Sequence, residues 1–136
     1  MNSRELVRAI EEMIEYDCKV ITGDAFQYHW GDHVIMINVS ETYLDNIEWK
    51  KFLKKEFNFN LNHENWFTLS VLHELGHHYT LDYFDEEEVA KSQHACAKQN
   101  EHFYEWVERI ATEWAVAYYN STDMDEWNKR ITALLN

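Results

Sequence analysis

The 136-residue chain contains no proline and only 3 glycines. Proline and glycine mark many turns and helix ends, so a chain with so few of them has little room for flexible linkers. This scarcity fits a compact helical frame around a small sheet. No internal repeat or linker divides the sequence, and we therefore predict a single domain over residues 1–136.

Cysteine is also scarce. The chain has 2 cysteines, Cys18 and Cys96, which lie far apart and form no C-x-x-C motif. A disulfide framework is therefore not indicated. His94 and His102 lie near Cys96 in the sequence, but unpaired His and Cys residues on a helix usually have no metal-binding role.

Long apolar runs are missing as well. No stretch approaches the roughly 18 apolar residues of a membrane helix. The first residues, from Met1 to Leu6, contain no apolar core of signal-peptide length. We therefore expect a cytoplasmic protein that does not bind membranes.

Positive charge is the last deficit. The chain has 12 Lys and Arg against 25 Asp and Glu, which gives a formal net charge of −13. Such a field repels phosphate backbones, so nucleic acid is not an expected partner. It favours a basic partner, or it serves only solubility. The sequence does not indicate an oligomeric state.

Apolar residues are abundant, at 46% of the chain, and they support a folded core. Their periodicity predicts helices over residues 3–16, 47–57, 64–79, 85–99, 101–119 and from 125 onward. On the helix over 101–119, the predicted buried stripe consists of Phe103, Val107, Ile110, Trp114 and Ala117.

Between the first two helices, alternating and apolar segments predict strands over residues 18–22, 26–30 and 33–39. The third segment is the most apolar, so we expect it to be the central strand of an antiparallel or mixed sheet. Gly31-Asp32 predicts a tight hairpin with glycine in the first central position. The predicted fold class is α+β, with about three strands packed against a mainly helical frame.

A short motif in the middle of the chain carries metal chemistry. His73, Glu74 and His77 form the pattern H-E-x-x-H on a predicted helix. Positions i and i+4 project from one helix face, so the two histidines can bind the same metal ion. Glu74 lies beside them, where it can take a proton from a metal-bound water. Zn²⁺, one ion per chain, is the expected metal, because imidazole suits it and it has no redox chemistry.

The context of the motif argues against two histidines without a metal. An apolar run over residues 66–72 precedes the motif, which is typical of a helix buried in the core. Gly76 costs roughly 1 kcal/mol relative to alanine inside a helix. We therefore expect another backbone or a substrate to approach Gly76 closely.

A catalytic zinc ion usually has three protein ligands, so a third is needed. The long pattern H-E-x-x-H-x-x-G-x-x-H is excluded, because Thr80 and Tyr83 stand where glycine and histidine are required. His78 points about 100° away from His77 around the helix. Asp82 and Asp85 are close in sequence but are expected in the loop that leaves the helix. The better candidates are three glutamates on the later helix: Glu105, Glu108 and Glu113.

The neighbours of these glutamates differ. Small side chains lie along the face of Glu108, at Ala111, Thr112 and Ala115. They leave room for a metal and a facing helix. Arg109 is placed to form an ordinary ion pair with Glu105 or Glu113. These considerations favour Glu108 and leave Glu113 as an alternative.

Residues 108–115, ERIATEWA, form a second motif. It resembles the segment E-x-E-A-[DN]-x-[FW]-A that follows H-E-x-x-H in ImmA/IrrE-type zinc metallopeptidases, and the order of elements over residues 3–119 is similar too. The resemblance implies a zincin-like fold, Glu108 as the third zinc ligand, and a protein or peptide substrate. Members of that family cut repressor-type regulators in bacteria, phages and mobile elements. This chain departs from the pattern at Ile110 and Thr112, and residues 81–99 look like an acidic insertion.

The resemblance leads us to expect a small zinc-dependent peptidase. In such an enzyme Glu74 accepts a proton as water attacks the peptide carbonyl, and passes it to the leaving amine. A donor to the oxyanion is expected from among five tyrosines: Tyr79, Tyr83, Tyr104, Tyr118 and Tyr119. The alternative is a non-catalytic, zinc-containing binding or regulatory module that acts through its acidic surface. An intact Glu74 favours catalysis, because a structural site needs no general base.

Overall fold

A small mixed sheet and a set of helices make up the part of the chain that the computed structural model describes, which is residues 2–40, 46–96 and 106–136. The helices are α1 (Ser3–Met13), α2 (Ile47–Phe57), α3 (Trp66–Thr80), α4 (Glu86–Cys96), α5 (Trp106–Ser121) and α6 (Asp125–Leu135), with a short 3₁₀ turn at Leu81–Tyr83. The strands are β1 (Lys19–Thr22), β2 (Gln27–His29) and β3 (Val34–Ile37). The predicted α+β class is confirmed. None of the helices in these ranges is both long and apolar enough to cross a bilayer.

The sheet has the strand order β1-β3-β2. β3 pairs parallel with β1 and antiparallel with β2, so the sheet is mixed. Ile35 and Ile37 of β3 are fully buried, which confirms the prediction of a central third strand. β2 is left at one edge of the sheet and packs beside α3.

The connection from β2 to β3 is longer than the sequence predicts. His29 pairs with Val34, so four residues lie between the paired positions. The backbone N–H groups of Asp32 and His33 both donate to the carbonyl of His29, at 3.2 and 3.1 Å. The positive φ of the loop, 54°, belongs to His33 and not to a glycine. The predicted two-residue hairpin at Gly31-Asp32 is therefore wrong.

Helix α1 begins where the sequence predicts and ends early. The side-chain oxygen of Asn2 accepts hydrogen bonds from the backbone N–H groups of Arg4 and Glu5, at 3.0 and 3.2 Å, which satisfies N–H groups that have no partner within the helix. The helix ends at Met13 and not at residue 16. Glu15 and Tyr16 have positive φ angles of 55° and 61°, and a right-handed helix cannot continue through them.

Helix α3 runs through the core, as its apolar sequence predicts. Every side chain from Phe67 to His77 is buried. Helix α5 packs directly against it. A Cβ at Gly76 would lie 3.1 Å from the Cα of Ala111 and closer still to its carbonyl oxygen. This confirms the expected approach of another backbone to Gly76.

The close contact of α3 and α5 also shows that the predicted buried stripe of α5 is wrong. The buried residues of α5 are Val107, Glu108, Ala111, Thr112, Ala115 and Val116. Of the predicted stripe only Val107 is among them. Ile110 and Trp114 are half-buried, Ala117 is exposed, and Phe103 lies outside the described residues. Two backbones can approach this closely only where side chains are small, so the bulky residues of α5 lie at the margins of the contact.

Candidate metal centre

The α3–α5 contact brings His73, His77 and Glu108 together in the core. The Nε2 atom of His77 lies 3.0 Å from Oε2 of Glu108, and Nε2 of His73 lies 3.2 Å from Oε1 of the same carboxylate. All three residues are buried. The two histidines come from one face of α3, one turn apart, and Glu108 faces them from the first turn of α5.

This geometry fits a metal ion. In a tetrahedral zinc site with ligand distances of about 2.0–2.2 Å, neighbouring donor atoms lie roughly 3.3 Å apart. The donor atoms of the triad all lie within 4.8 Å of one another. Two neutral imidazoles and one carboxylate are also a ligand set of known catalytic metal sites. A buried His, His and Glu group of this shape can therefore hold a metal ion.

The electrostatics of Glu108 agree with such a role. Burial by itself raises the pKa of its carboxyl group, but the charges and hydrogen bonds of His77 and His73 outweigh burial and hold the pKa well below its ordinary value. Glu108 is therefore ionised at neutral pH. A buried carboxylate needs a cationic partner, and a metal ion between the two histidines would supply one.

Thr112 fixes the orientation of His73. The Thr112 hydroxyl donates to the backbone carbonyl of Glu108, at 3.0 Å, so it accepts from Nδ1–H of His73, at 2.9 Å. With a metal ion bound at Nε2, this hydrogen bond would keep the proton of the neutral ring on Nδ1 and leave the lone pair of Nε2 for the ion. One fully buried hydroxyl thus connects two of the candidate ligands.

Replacing Thr112 with valine is expected to weaken metal binding by about 10- to 100-fold, the usual effect of losing a hydrogen bond to a ligand. Valine keeps the shape but leaves Nδ1–H of His73 buried without an acceptor. Thr112→Ser is the matched control, because it keeps the hydroxyl, and it should bind within about threefold of the wild type. Competition with a chromogenic chelator measures both affinities. Equal zinc affinity in the two variants would show that Thr112 does not position His73.

His77 is held by packing. Its Nδ1 atom is buried and has no hydrogen-bond partner among the described residues. Its ring stacks on Tyr28, with centroids 6.4 Å apart, and meets the edge of Trp30 at 5.2 Å. The two aromatic residues come from the end of β2 and the loop that follows it. The edge strand of the sheet therefore lies next to this histidine.

Glu74 lies beside the triad and not in it. Its Oε2 atom is 3.9 Å from Nε2 of His73, close enough for proton transfer through one water molecule. Glu74 is not one of the three residues whose donor atoms all lie within 4.8 Å of one another. Burial raises the pKa of Glu74 to about 7; the negative charge of Glu108 adds to this effect, while His73 and a backbone hydrogen bond from Tyr28 oppose it. A carboxyl group with that pKa can both accept and release a proton near neutral pH.

The other candidates from the sequence lie elsewhere. Glu113 is exposed on the far side of α5, and Arg109 forms its ion pair with Glu56 of α2, at 3.5 Å. Glu105 lies outside the described residues. His78 makes a hydrogen bond with the hydroxyl of Tyr28, at 3.0 Å, and is not part of the triad.

None of the predicted oxyanion donors contacts the triad in the described part of the chain. The hydroxyl of Tyr79 donates to Asp17, and that of Tyr119 accepts from Asn128 at 2.8 Å. Tyr118 stacks on Trp114. Tyr83 is exposed on the 3₁₀ turn, and Tyr104 lies outside the described residues.

The sequence does not predict the contacts that four residues make with the triad: Tyr28, Trp30, Trp49 and Thr112. Trp49 of α2 meets the ring of His73 edge-on, with centroids 5.7 Å apart. Of these four, only Thr112 could have been placed near the triad from the sequence, because it follows Glu108 by one helical turn on the same face. The three aromatic residues reach the triad through tertiary packing, which no local pattern reveals.

Comparisons of the chain with protein-family models, with curated proteins and with solved structures find no match. What the protein does therefore has to be inferred from the geometry of this cluster. The cluster consists of a buried triad that can hold a metal ion and the buried carboxyl group of Glu74 beside it.

Proposed function

We propose that the protein is a zinc-dependent metallopeptidase of the ImmA/IrrE type. The observation that carries this proposal is the position of Glu74, which is buried next to the triad, 3.9 Å from Nε2 of His73, without being one of its three members. Zn²⁺ is the favoured ion because two imidazoles and a carboxylate suit it. A site whose only task was structural would gain nothing from a second buried carboxyl group, since that group costs solvation free energy.

The residues of the chain divide the work between binding and proton transfer. Bound Zn²⁺ would supply a Lewis acid that polarises the peptide carbonyl and makes water acidic. Glu74 takes the proton of the attacking water and delivers it to the leaving amine. Thr112 holds the ring of His73 in the orientation that ligation needs, and the rings of Tyr28 and Trp30 pack against His77.

Strand β2 offers a place for an extended substrate. It lies at the edge of the described sheet, and an edge strand presents backbone N–H and C=O groups that a peptide can pair with. The end of β2 contacts His77 through Trp30 and Tyr28. A peptide added to this edge would therefore pass close to the metal ligands.

The similarity to the ImmA/IrrE pattern gains support from Thr112. This residue occupies the position where the pattern has Asp or Asn, and its oxygen accepts a hydrogen bond from His73, as an oxygen of Asp or Asn can. By analogy with that family, we propose that the substrate is a regulatory, repressor-like protein of a bacterium, phage or mobile element.

The proposal is tested with protein purified without a histidine tag. We expect about one equivalent of zinc per chain and cleavage of a pool of quenched fluorescent peptides. Cleavage should stop when a chelator removes the metal and should return when zinc is added. A zinc content below about half an equivalent after incubation with excess zinc would contradict the metal centre. Full cleavage in the metal-free protein would contradict its role in catalysis.

Two glutamates of α5 allow a matched test of the third ligand. Glu108→Ala is expected to lower zinc affinity by at least about 100-fold, because it removes one of three ligands. Glu113→Ala is the control, since Glu113 is exposed on the same helix. Its affinity should stay within about twofold of the wild type. Isothermal titration with zinc measures both, and a larger loss at Glu113 would show that the assignment of Glu108 is wrong.

A further inference from the structure

A second surface of the protein displays aromatic side chains beside carboxylates, away from the metal centre. Tyr16 is 73% exposed and Tyr79 is 47% exposed. The Tyr79 hydroxyl donates to the carboxylate of Asp17, the residue that follows Tyr16. We define the tyrosine–carboxylate patch as Glu15, Tyr16, Asp17 and Tyr79.

The backbone under this patch is unusual. Glu15 and Tyr16 both have left-handed φ angles, 55° and 61°. Residues with a Cβ atom adopt this conformation at a cost in free energy, which bulky residues normally avoid. Burial does not repay that cost at Tyr16, because the side chain is mostly in solvent. A large aromatic ring is thus held outward by a strained turn.

The other tyrosine of the patch is held rigidly. The ring of Tyr79 stacks on Trp114 of α5, with centroids 4.9 Å apart and planes at 14°, and Trp114 stacks in turn on Tyr118 at 5.2 Å and 18°. The hydrogen bond to Asp17 fixes the other end of the ring. A ring that is already ordered loses little conformational entropy when a partner covers it.

The patch is acidic as well as aromatic. The carboxylate of Asp17 accepts the hydrogen bond of Tyr79, and the exposed Glu15 lies two residues before Asp17. Aromatic faces next to carboxylates suit guanidinium and ammonium groups, which gain cation–π contacts and ion pairs together.

The position of the patch separates it from the metal centre. Tyr79 follows His77 by two residues, which places it about 200° further around the helix. It projects from the side of α3 that faces away from the triad. A partner on the patch would therefore touch the helix that carries the histidines without covering them.

We propose that the tyrosine–carboxylate patch binds a basic segment of a partner protein. Arginine or lysine side chains of the partner lie against Tyr16 and Tyr79 and pair with Glu15 and Asp17. The formal net charge of −13 attracts such a partner and repels acidic ones. This interaction goes beyond the proposed peptidase activity and needs neither zinc nor Glu74.

The test uses the full chain, labelled with ¹⁵N, and a short synthetic peptide of alternating arginine and serine as the probe. We expect the largest amide shifts at residues 15–17 and around Tyr79. Tyr16→Gly should weaken binding by about fivefold, because it removes the ring while glycine accepts the positive φ without strain. Since glycine relieves this backbone, loss of folding cannot explain the loss of binding.

Two double variants distinguish binding at the patch from attraction by the net charge of the protein. Glu15→Gln/Asp17→Asn and Glu86→Gln/Glu87→Gln each remove two charges, the second pair from the exposed first turn of α4. The first double variant should weaken binding of the arginine peptide by about fivefold or more, and the second by less than about twofold. Equal losses would mean that the peptide senses only net charge. That result, or shifts confined to other surfaces, would overturn the proposal.

A second copy of the chain is the competing occupant. Four exposed lysines on α2 offer complementary charge: Lys50, Lys51, Lys54 and Lys55. Sedimentation of the wild type and of Tyr16→Gly distinguishes the two occupants. Self-association that Tyr16→Gly abolishes would show that the patch binds another copy, and would overturn the proposal of a separate basic partner. A monomer in both cases supports it.

Discussion

Replacing Glu74 with glutamine is expected to abolish peptide hydrolysis and to leave zinc bound. The amide keeps the size of the side chain but cannot accept a proton, and general bases contribute about 10²- to 10⁴-fold to a rate. Zinc stays because Glu74 is not one of the three residues whose donor atoms cluster as possible ligands. Turnover of quenched peptides and the zinc content of the same preparation measure the two effects together.

The fold should tolerate this change. Burial raises the pKa of Glu74 to about 7, so in the metal-free protein the ionised carboxylate is penalised relative to the unfolded chain. Above the ordinary pKa of glutamate, this raised pKa therefore lowers the stability of the folded state. A neutral amide removes the penalty. Metal-free Glu74→Gln should therefore unfold at a temperature no lower than that of the wild type at neutral pH.

Glu113→Gln is the control for Glu74→Gln, because it makes the same change at an exposed position of α5 and should keep full activity. The variant at Glu74 also separates the peptidase from its rival, a non-catalytic module that contains zinc and acts through its acidic surface. If the biological activity of the protein survives Glu74→Gln, the peptidase proposal is wrong and the module explains the zinc. Loss of activity with zinc retained excludes the module.

The two histidines of the triad could be predicted from the sequence because their geometry is local. His73 and His77 are four residues apart on a helix, and helical geometry alone places them on one face. The residue that faces them, Glu108, was harder to predict. Small neighbours favoured Glu108 over Glu113, but the proximity of Glu108 to the histidines is a property of two helices that are distant in the chain.

The wrong stripe on α5 shows why hydrophobic periodicity was a poor guide there. Periodicity ranks positions by the size of the apolar side chain, so it selected Ile110 and Trp114. The contact with α3 instead requires small side chains, because Gly76 brings the two backbones together at Ala111. The small residues along the face of Glu108 mark the buried face correctly. The large apolar residues and the small residues of α5 lie on different faces of the helix, and close packing buries the face with the small residues.

The aromatic residues around the triad could not be predicted from the sequence, for a different reason. Tyr28 and Trp30 contact His77 because β2 lies at the sheet edge next to α3. That position depends on the strand order β1-β3-β2 and on a four-residue loop with its left-handed residue at His33. The sequence left the sheet antiparallel or mixed, and its turn signal between β2 and β3 was Gly31-Asp32. Strand order is set by non-local pairing, which a local pattern does not record.

Replacing Gly76 with alanine is expected to destabilise the protein by about 3 kcal/mol, as overpacking a tight core does. In an exposed helix this change would stabilise by roughly 1 kcal/mol. Here the added Cβ would lie 3.1 Å from the Cα of Ala111 and closer to its carbonyl oxygen. A backbone cannot rotate away as a side chain can, so α3 and α5 must separate. Urea denaturation of the metal-free protein measures the change in the free energy of unfolding.

The same separation should weaken the metal centre. Ala111 follows Glu108 by one helical turn, so moving α5 outward carries the Glu108 carboxylate away from His73 and His77. We expect zinc affinity to fall by at least about tenfold, the effect of a misplaced ligand. Gly31→Ala is the matched control, because a Cβ there would meet no atom within 4 Å and Gly31 has no positive φ. It should leave both the free energy of unfolding and the zinc affinity nearly unchanged. If Gly76→Ala behaved like Gly31→Ala, the backbones of α3 and α5 would not be in contact at this position, and the triad would need another explanation for its assembly.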